Sequence, residues 1–307
     1  MIQIKIGERI LKKARRLGSR TGRARTQEKV RIVYELRRKY NVLKPILEIV
    51  GLVKSTYFDV LKSFNIEDKD KELKERINTI YHKNKGRYGY RRITISLKNT
   101  GLIVNHKKVY RLMKVLGLSC KIRVKKYKSY KGEIGKVAEN VLSRDFNTSN
   151  FSEKLVTDIT EFRVEGQKVY LSPLIDIHNK EVISYTVGMS PSVKLVIDML
   201  EKGITEEHEK SVIHSDQGFQ YQNKRFQTYL KNKKIVQSMS RKGNCLDNSI
   251  AENFFSHLKA EFYKINKFKT VTQFIKELRE YIHYYNNERI VTKLKMAPVQ
   301  YRYHCLN

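Results

Sequence analysis

Three carboxylates stand in settings that suit metal-assisted chemistry. In Ser211-Val-Ile-His-Ser-Asp216-Gln-Gly218 a short β-branched run ends on an aspartate and then a glycine, as a buried strand does when its carboxyl end delivers a side chain into a cleft. Asp158 lies in a predicted strand over 155–164, where Val156, Asp158, Thr160 and Phe162 alternate onto one face. A mid-strand aspartate is costly unless it is paired or metal-bound. Glu252 falls in a predicted helix whose Ala251, Phe255, Leu258 and Phe262 form an apolar stripe, with Ser256 and Lys259 along the same flank as the glutamate. Three carboxylates brought together from two strands and a helix would hold two divalent cations roughly 3.5–4 Å apart. That arrangement activates an attacking oxygen and stabilises a leaving one at a phosphodiester.

Each carboxylate also has a plainer reading. Ser249-Ile-Ala-Glu252 fits a capping box, Asp216 a turn before Gly218, and Asp158 an edge-strand carboxylate. Glu161 points to the opposite strand face and Asp176 starts a turn, so both read as surface or cap residues. His178 and His214 have no second ligand at local metal spacing, although His214 shares a strand face with Asp216 and would orient it.

The spacing of the set is specific. Thirty-five residues separate Asp216 from Glu252, and Lys259 follows the glutamate by seven. Around them stand Thr157-Asp158-Ile-Thr160, His214-Ser-Asp216-Gln-Gly218, Asp247-Asn-Ser-Ile-Ala-Glu252-Asn-Phe-Phe255, and Tyr285-Asn-Asn-Glu-Arg289 followed by Ala297-Pro-Val-Gln-Tyr301. On these words, over nearly all of residues 83–307, the chain resembles the DDE transposases of bacterial insertion sequences. This group is related to retroviral integrases and is often encoded by two overlapping reading frames, of which this chain resembles the downstream, catalytic product. The resemblance implies an α/β core of the RNase H-like kind, a mixed sheet flanked by helices, in which the strands bearing Asp158 and Asp216 are neighbours. It implies that Asp158, Asp216 and Glu252 hold Mg2+ or Mn2+, two ions per active site, and that Lys259 meets a substrate phosphate. The implied reaction is metal-dependent cleavage at the terminal inverted repeats of an element, followed by transfer of the freed strand to a second DNA. Two ends must be held together for that transfer, which implies a homo-oligomer on DNA. No sustained heptad pattern precedes residue 80, so the upstream-frame product is expected to be a partner.

Charge supports a nucleic-acid partner. The chain of 307 residues carries a formal net charge of +32, of which +26 lies in residues 1–150 and +6 in 151–307. A basic arm joined to an ordinary globular half binds a polyanion. No apolar run reaches the eighteen or so residues of a spanning helix and no signal-peptide pattern opens the chain, which points to double-stranded DNA rather than a membrane and to a cytoplasmic, nucleoid-associated place. Cys120, Cys245 and Cys305 fit no zinc spacing and read as reduced thiols.

The elements expected to position these groups fall in five stretches. Residues 1–25 read as a basic arm. Residues 26–66 read as helices, with Asn41 ending the first and Ser55 capping the last, in either a helix-turn-helix or a plain three-helix packing. Over 67–118 a charged helix leads to two more, near Tyr90–Asn99 and after the cap Asn105. The last of these buries Val109, Leu112, Met113 and Leu116 and turns Lys107, Lys108, Arg111 and Lys114 outward, a pattern suited to a DNA groove; Arg91 and Arg92 belong to the same expected DNA face. Residues 119–150 read as a basic linker. Residues 151–307 read as the catalytic core, with strands at 155–164, 168–177, 181–188, 212–216 and 235–239, helices at 192–202 and 224–233, the Glu252 helix, and a last helix over 271–286 that releases into residues 289–301.

Overall fold

The computed structural model describes residues 22–64, 69–122, 147–240 and 248–306. The chain divides into two compact units, one ending at Glu75 and one starting at Arg76. The division falls at neither residue 66 nor residue 150, so the second helix pair and the sheet share one unit. Most of the expected basic arm and linker, and the glycine-bearing segment at 241–247, lie outside the described residues.

In the first unit α1 (Gly22–Tyr40) begins within the stretch expected as an arm. It ends where Asn41 takes a φ of 50° and donates its amide to the Arg37 carbonyl at 2.9 Å. Next come α2 (Lys44–Val50), a left-handed Gly51, and α3 (Lys54–Phe64). Ser55 therefore lies inside α3 rather than capping it. Val30, Val33, Ile46, Leu47 and Tyr57 form the buried centre, with Val50, Phe58 and Leu61 packed around it. The helix α4 (Lys71–Lys83) crosses the division at Glu75.

After α4 the second unit continues with α5 (Tyr90–Asn99) and α6 (His106–Val115), joined through Gly101 at a φ of 86°. Asn105 caps α6, its side chain accepting the Lys107 amide at 2.8 Å. Val109, Leu112 and Met113 are buried, as the periodicity predicts, whereas Leu116 follows the last helical residue and is only partly buried. The sheet follows: β1 (Lys154–Thr157), β2 (Thr160–Val164), β3 (Gln167–Asp176), β4 (Val182–Gly188), then α7 (Val193–Gly203), β5 (Val212–Ser215), the one-turn α8 (Phe219–Gln222), α9 (Lys224–Asn232) and β6 (Val236–Met239). The strand order is β2-β3-β1-β5-β6, with β4 also on β3; the first strands are antiparallel, whereas β1, β5 and β6 run parallel. This is the mixed, helix-flanked sheet expected.

Two apolar layers sandwich the sheet. Leu155, Leu174 and Ile213 pack on α7 and α9 through Val196, Met199, Leu200, Phe226 and Leu230. Val156, Phe162 and Ile175 face α10 (Ser249–Leu258) and α11 (Val271–Asn287) through Phe254, Phe255, Leu258, Phe274, Leu278 and Ile282. The alternation of Leu155 with Val156, one to each layer, is the period-2 signature of a strand covered on both sides. Beyond α11, expected to be the last helix, the chain forms a further one, α12 (Pro298–Leu306). Proline at the first helical position loses no hydrogen bond, which is why Pro298 starts this helix rather than forbidding it.

One expected strand is broken. Thr157 pairs with Leu174 and Thr160 with Leu171, and both pairs belong to one register in which Asp158 would face Pro173. Proline has no amide to give the ladder, so pairing lapses over Asp158 and Ile159 and resumes at Thr160. Asp158 thus stands at the carboxyl end of β1 instead of in mid-strand.

Candidate active site

The break frees the Asp158 side chain to leave the ladder. Val156 lies opposite His214 in the parallel pair β1–β5, so two residues on, at the carboxyl ends of adjacent strands, Asp158 and Asp216 stand side by side. Neighbouring strands run about 4.8 Å apart, which brings two like charges within strong interaction range. Each carboxylate is steadied by one amide: Ile159 donates to Asp158 Oδ1 at 2.7 Å, and Gly218 to Asp216 Oδ1 at 2.9 Å. An added Cβ at Gly218 would lie 2.8 Å from Gln220 Oε1 and 3.0 Å from Asp216 Oδ1, so those two side chains would have to shift to admit it.

The third carboxylate comes from α10. Asn248 precedes this helix, and its Nδ2 donates to the Thr157 carbonyl at 3.3 Å, tying the helix start to the last residue of β1 beside Asp158. Ser249 lies within the helix, so the Ser249–Glu252 capping box does not form. Burial raises the Asp158 carboxyl well above the usual carboxylate range; the charge of Asp216 and then that of Glu252 push it the same way, while the Ile159 amide and Lys259 pull it down. Asp216 keeps an open side to solvent but is walled by protein on the other, and this desolvation raises its carboxyl against the pull of the Gly218 amide. Lys259 is half-buried, its Nζ 5.8 Å from the centroid of the Phe162 ring. Burial lowers its ammonium, and the charge of Asp158 opposes that shift. Two strands and a helix therefore bring Asp158, Asp216, Glu252 and Lys259 into one electrostatic group. As the side chains stand, no set of three or more His, Cys, Asp or Glu among the described residues is closed into a metal-ligand cluster.

The remaining expected residues divide between surface and interior. Lys107, Lys108, Arg111 and Lys114 lie exposed on α6, with Lys114 Nζ 4.9 Å from the Tyr110 ring centroid, and Arg91 is exposed on α5. Arg92, expected beside Arg91 on a DNA face, is instead turned inward to Glu261, 3.2 Å from its Oε1 and with 16% of its side chain exposed. Glu161 is at the surface with Lys168, Arg163 and Tyr170. Asp176 is buried, where it accepts the Ser152 amide at 2.8 Å and the His178 amide at 2.6 Å. His214 is fully buried and its Nδ1 lies 2.9 Å from Ser238 Oγ on β6. Sequence reasoning missed Asn248, although it stood inside a quoted motif, and Tyr221. The latter is buried under the aspartates, whose charges add to its burial in raising its phenol.

Residues 67–126 match the HTH-like domain family, and residues 151–245 and 252–306 match two integrase core domain families. A putative transposase for insertion sequence element IS150 of Escherichia coli (strain K12) is 47% identical over 276 residues, 89% of this chain and 97% of that protein. The chain belongs to the insertion-sequence transposases with an integrase core. A transposase-like protein of Haemophilus influenzae shares 48% identity with this transposase over 217 residues, 70% of this chain and all of that one. The solved catalytic core of HTLV-2 integrase in complex with magnesium aligns with 49% of the transposase and 96% of that chain at 14% identity and a TM-score of 0.41, a likeness too distant to bear on its chemistry. The transposase is thus a DDE-type polynucleotidyl transferase that acts in DNA transposition, with a helix-turn-helix-like segment ahead of its core. No helix among its described residues is long and apolar enough to cross a membrane.

Proposed function

We propose that the transposase cuts the ends of its element and joins them to a second DNA at Asp158, Asp216 and Glu252. The observation that carries the reading is the β1–β5 register, which sets two aspartates side by side at the point where α10 brings a third carboxylate. Two further carboxylates beside a half-buried Asp158 are unfavourable alone and suit a hard divalent cation, for which carboxylate oxygens are the preferred donors. Mg2+ or Mn2+, as one or two ions held by these three side chains, would supply the positive charge that acidifies an attacking water or 3′-hydroxyl and offsets charge on the leaving oxygen. Lys259 supplies a fixed ammonium beside Asp158 that meets the scissile or an adjacent phosphate. Asn248 holds the start of α10 against β1 and so keeps Glu252 facing the aspartates. No protein nucleophile is required.

End recognition falls to the outer face of α6, where Lys107, Lys108, Arg111 and Lys114 are exposed together, with Arg91 beside them on α5. Two ends are held by an oligomer on DNA, and the upstream-frame product supplies further contacts to it. A purified reaction on paired end fragments is expected to give poor joining with this chain and efficient joining after fusion to the upstream product; full joining by this chain as a monomer overturns the need for assembly.

The central test is a nicking assay with Mg2+ run beside gel shifts. Asp158→Asn, Asp216→Asn and Glu252→Gln are each expected to abolish cleavage and leave end binding intact. Near-normal nicking by Glu252→Gln would refute the assignment.

A further inference from the structure

Glu261 lies nine residues beyond Glu252 and two beyond Lys259, in the π-turn Lys259–Tyr263 that continues α10. Its side chain is 1% exposed and almost fully engaged. Arg289 grips it with Nε and Nη2 at 2.7 Å each, Arg92 Nη1 reaches it at 3.2 Å, Tyr281 donates its hydroxyl at 3.2 Å, and His257 Nδ1 lies 3.8 Å away. The main-chain carbonyl of Glu261 accepts from Arg87 Nε at 3.1 Å. Arg87 and Arg92 come from the helix-turn-helix-like segment, whereas Arg289 follows α11. Tyr88 fastens the same two segments, its hydroxyl accepting the Ile290 amide at 2.8 Å and donating to the Glu288 carbonyl at 3.2 Å.

Apolar side chains of similar volume would hold this junction at least as firmly, since buried ions lose hydration that their pairing only offsets. Guanidinium forks instead fix where a carboxylate sits, in distance and in plane. The object fixed here is a π-turn, a rare geometry that recurs at functional sites. It starts at Lys259 and continues the helix bearing Glu252.

We propose that Arg92, together with Arg87, is a positioning residue for DNA cutting: by gripping Glu261 from the helix-turn-helix-like segment, it sets the π-turn, and through it the reach of Lys259 and the placement of Glu252. The segment is then part of the apparatus that aligns the catalytic helix as well as a binder of DNA. This rests on the assignment of Glu252 to catalysis.

The experiment compares the parent full chain with Arg92→Met and, as a control, Glu252→Gln. Nicking of a terminal-repeat duplex is followed at saturating DNA with Mg2+, beside end affinity, its salt dependence and the thermal midpoint. Arg289 still partners Glu261 in Arg92→Met, so that variant is expected to fold. The proposal predicts at least a tenfold fall in turnover at saturation, with end affinity within twofold of the parent and an unchanged salt slope. Weakened affinity with parental turnover at saturation would make Arg92 a DNA contact and overturn the proposal, as would parental behaviour throughout. Should Arg92→Met not fold, Arg92→Lys decides, because it keeps the charge but loses the fork: a several-fold loss of turnover at parental affinity supports the proposal, and parental turnover overturns it. If Glu252→Gln itself nicks normally, the catalytic assignment has failed; if it is inactive while the Arg92 variant is parental, only the positioning role has failed.

Discussion

Arg289→Met tests the buried pair at the centre of the second unit. Both partners are almost completely withdrawn from water, with side-chain exposures of 2% and 1%, and two hydrogen bonds of 2.7 Å join them. Removing Arg289 leaves a carboxylate answered by Arg92, Tyr281 and the more distant His257, and loss of one partner of such a pair typically costs about 3–5 kcal/mol. The double variant Glu261→Gln/Arg289→Met removes both fully buried charges, leaves only Arg92, 16% exposed, without its carboxylate, and is expected to recover part of that loss. Acid titration gives an independent measure. Burial alone would raise the Glu261 carboxyl, but hydrogen bonds and charge from Arg289, with Arg92 and His257, bring it from 4.5 to about 2. A depressed carboxyl contributes stability that is present above the unfolded value and lost as pH falls through the folded one. The window here runs from about pH 4.5 down to 2, and the shift corresponds to about 3 kcal/mol. Urea unfolding followed by tyrosine fluorescence is suitable, since the chain has 19 tyrosines and no tryptophan. A destabilisation below about 1 kcal/mol for Arg289→Met, or a double variant as unstable as the single one, would refute the view that this pair is held by mutual compensation of buried charge.

Further expectations concern other parts of the molecule. His257 is lowered to about 4, chiefly by burial and then by Arg289, so the fold holds it neutral; its contribution is present above pH 6.5 and lost as pH falls toward 4, and His257→Gln should remove that part of a stability–pH curve. Gly203→Ala places a Cβ 2.3 Å from Ser184 Oγ and 2.7 Å from its Cβ where α7 crosses β4, so it should lower the thermal midpoint by several degrees, and an unchanged midpoint would show that the helix can shift freely. Reversing charge at Lys107, Lys108 and Arg111 should flatten the salt dependence of end binding by roughly 0.9 in log–log slope for each DNA phosphate that is no longer neutralised, and a parental slope would remove α6 from the DNA interface.

The sequence by itself determined the parts of this protein that depend on local pattern. The stripe from Ala251 to Phe262, the cap at Asn105, and the strand ending at Asp216 each follow from residues a few positions apart, because the periods of helices and strands are local properties. Motif words, through the family resemblance they carry, also pointed to the integrase-type fold. Tertiary structure alone decided what depends on partners distant in the chain. Asp158 leaves its ladder because Pro173, fifteen residues on, is in register opposite it. Asn248 reaches the Thr157 carbonyl across 91 residues of chain. Arg92 looked like a DNA contact because its neighbours are basic, and it turns inward because Glu261, 169 residues later, sits where only a guanidinium compensates its burial. Local composition specifies that a charge exists; which charge it meets is set by the sheet order and by the helices packed across it.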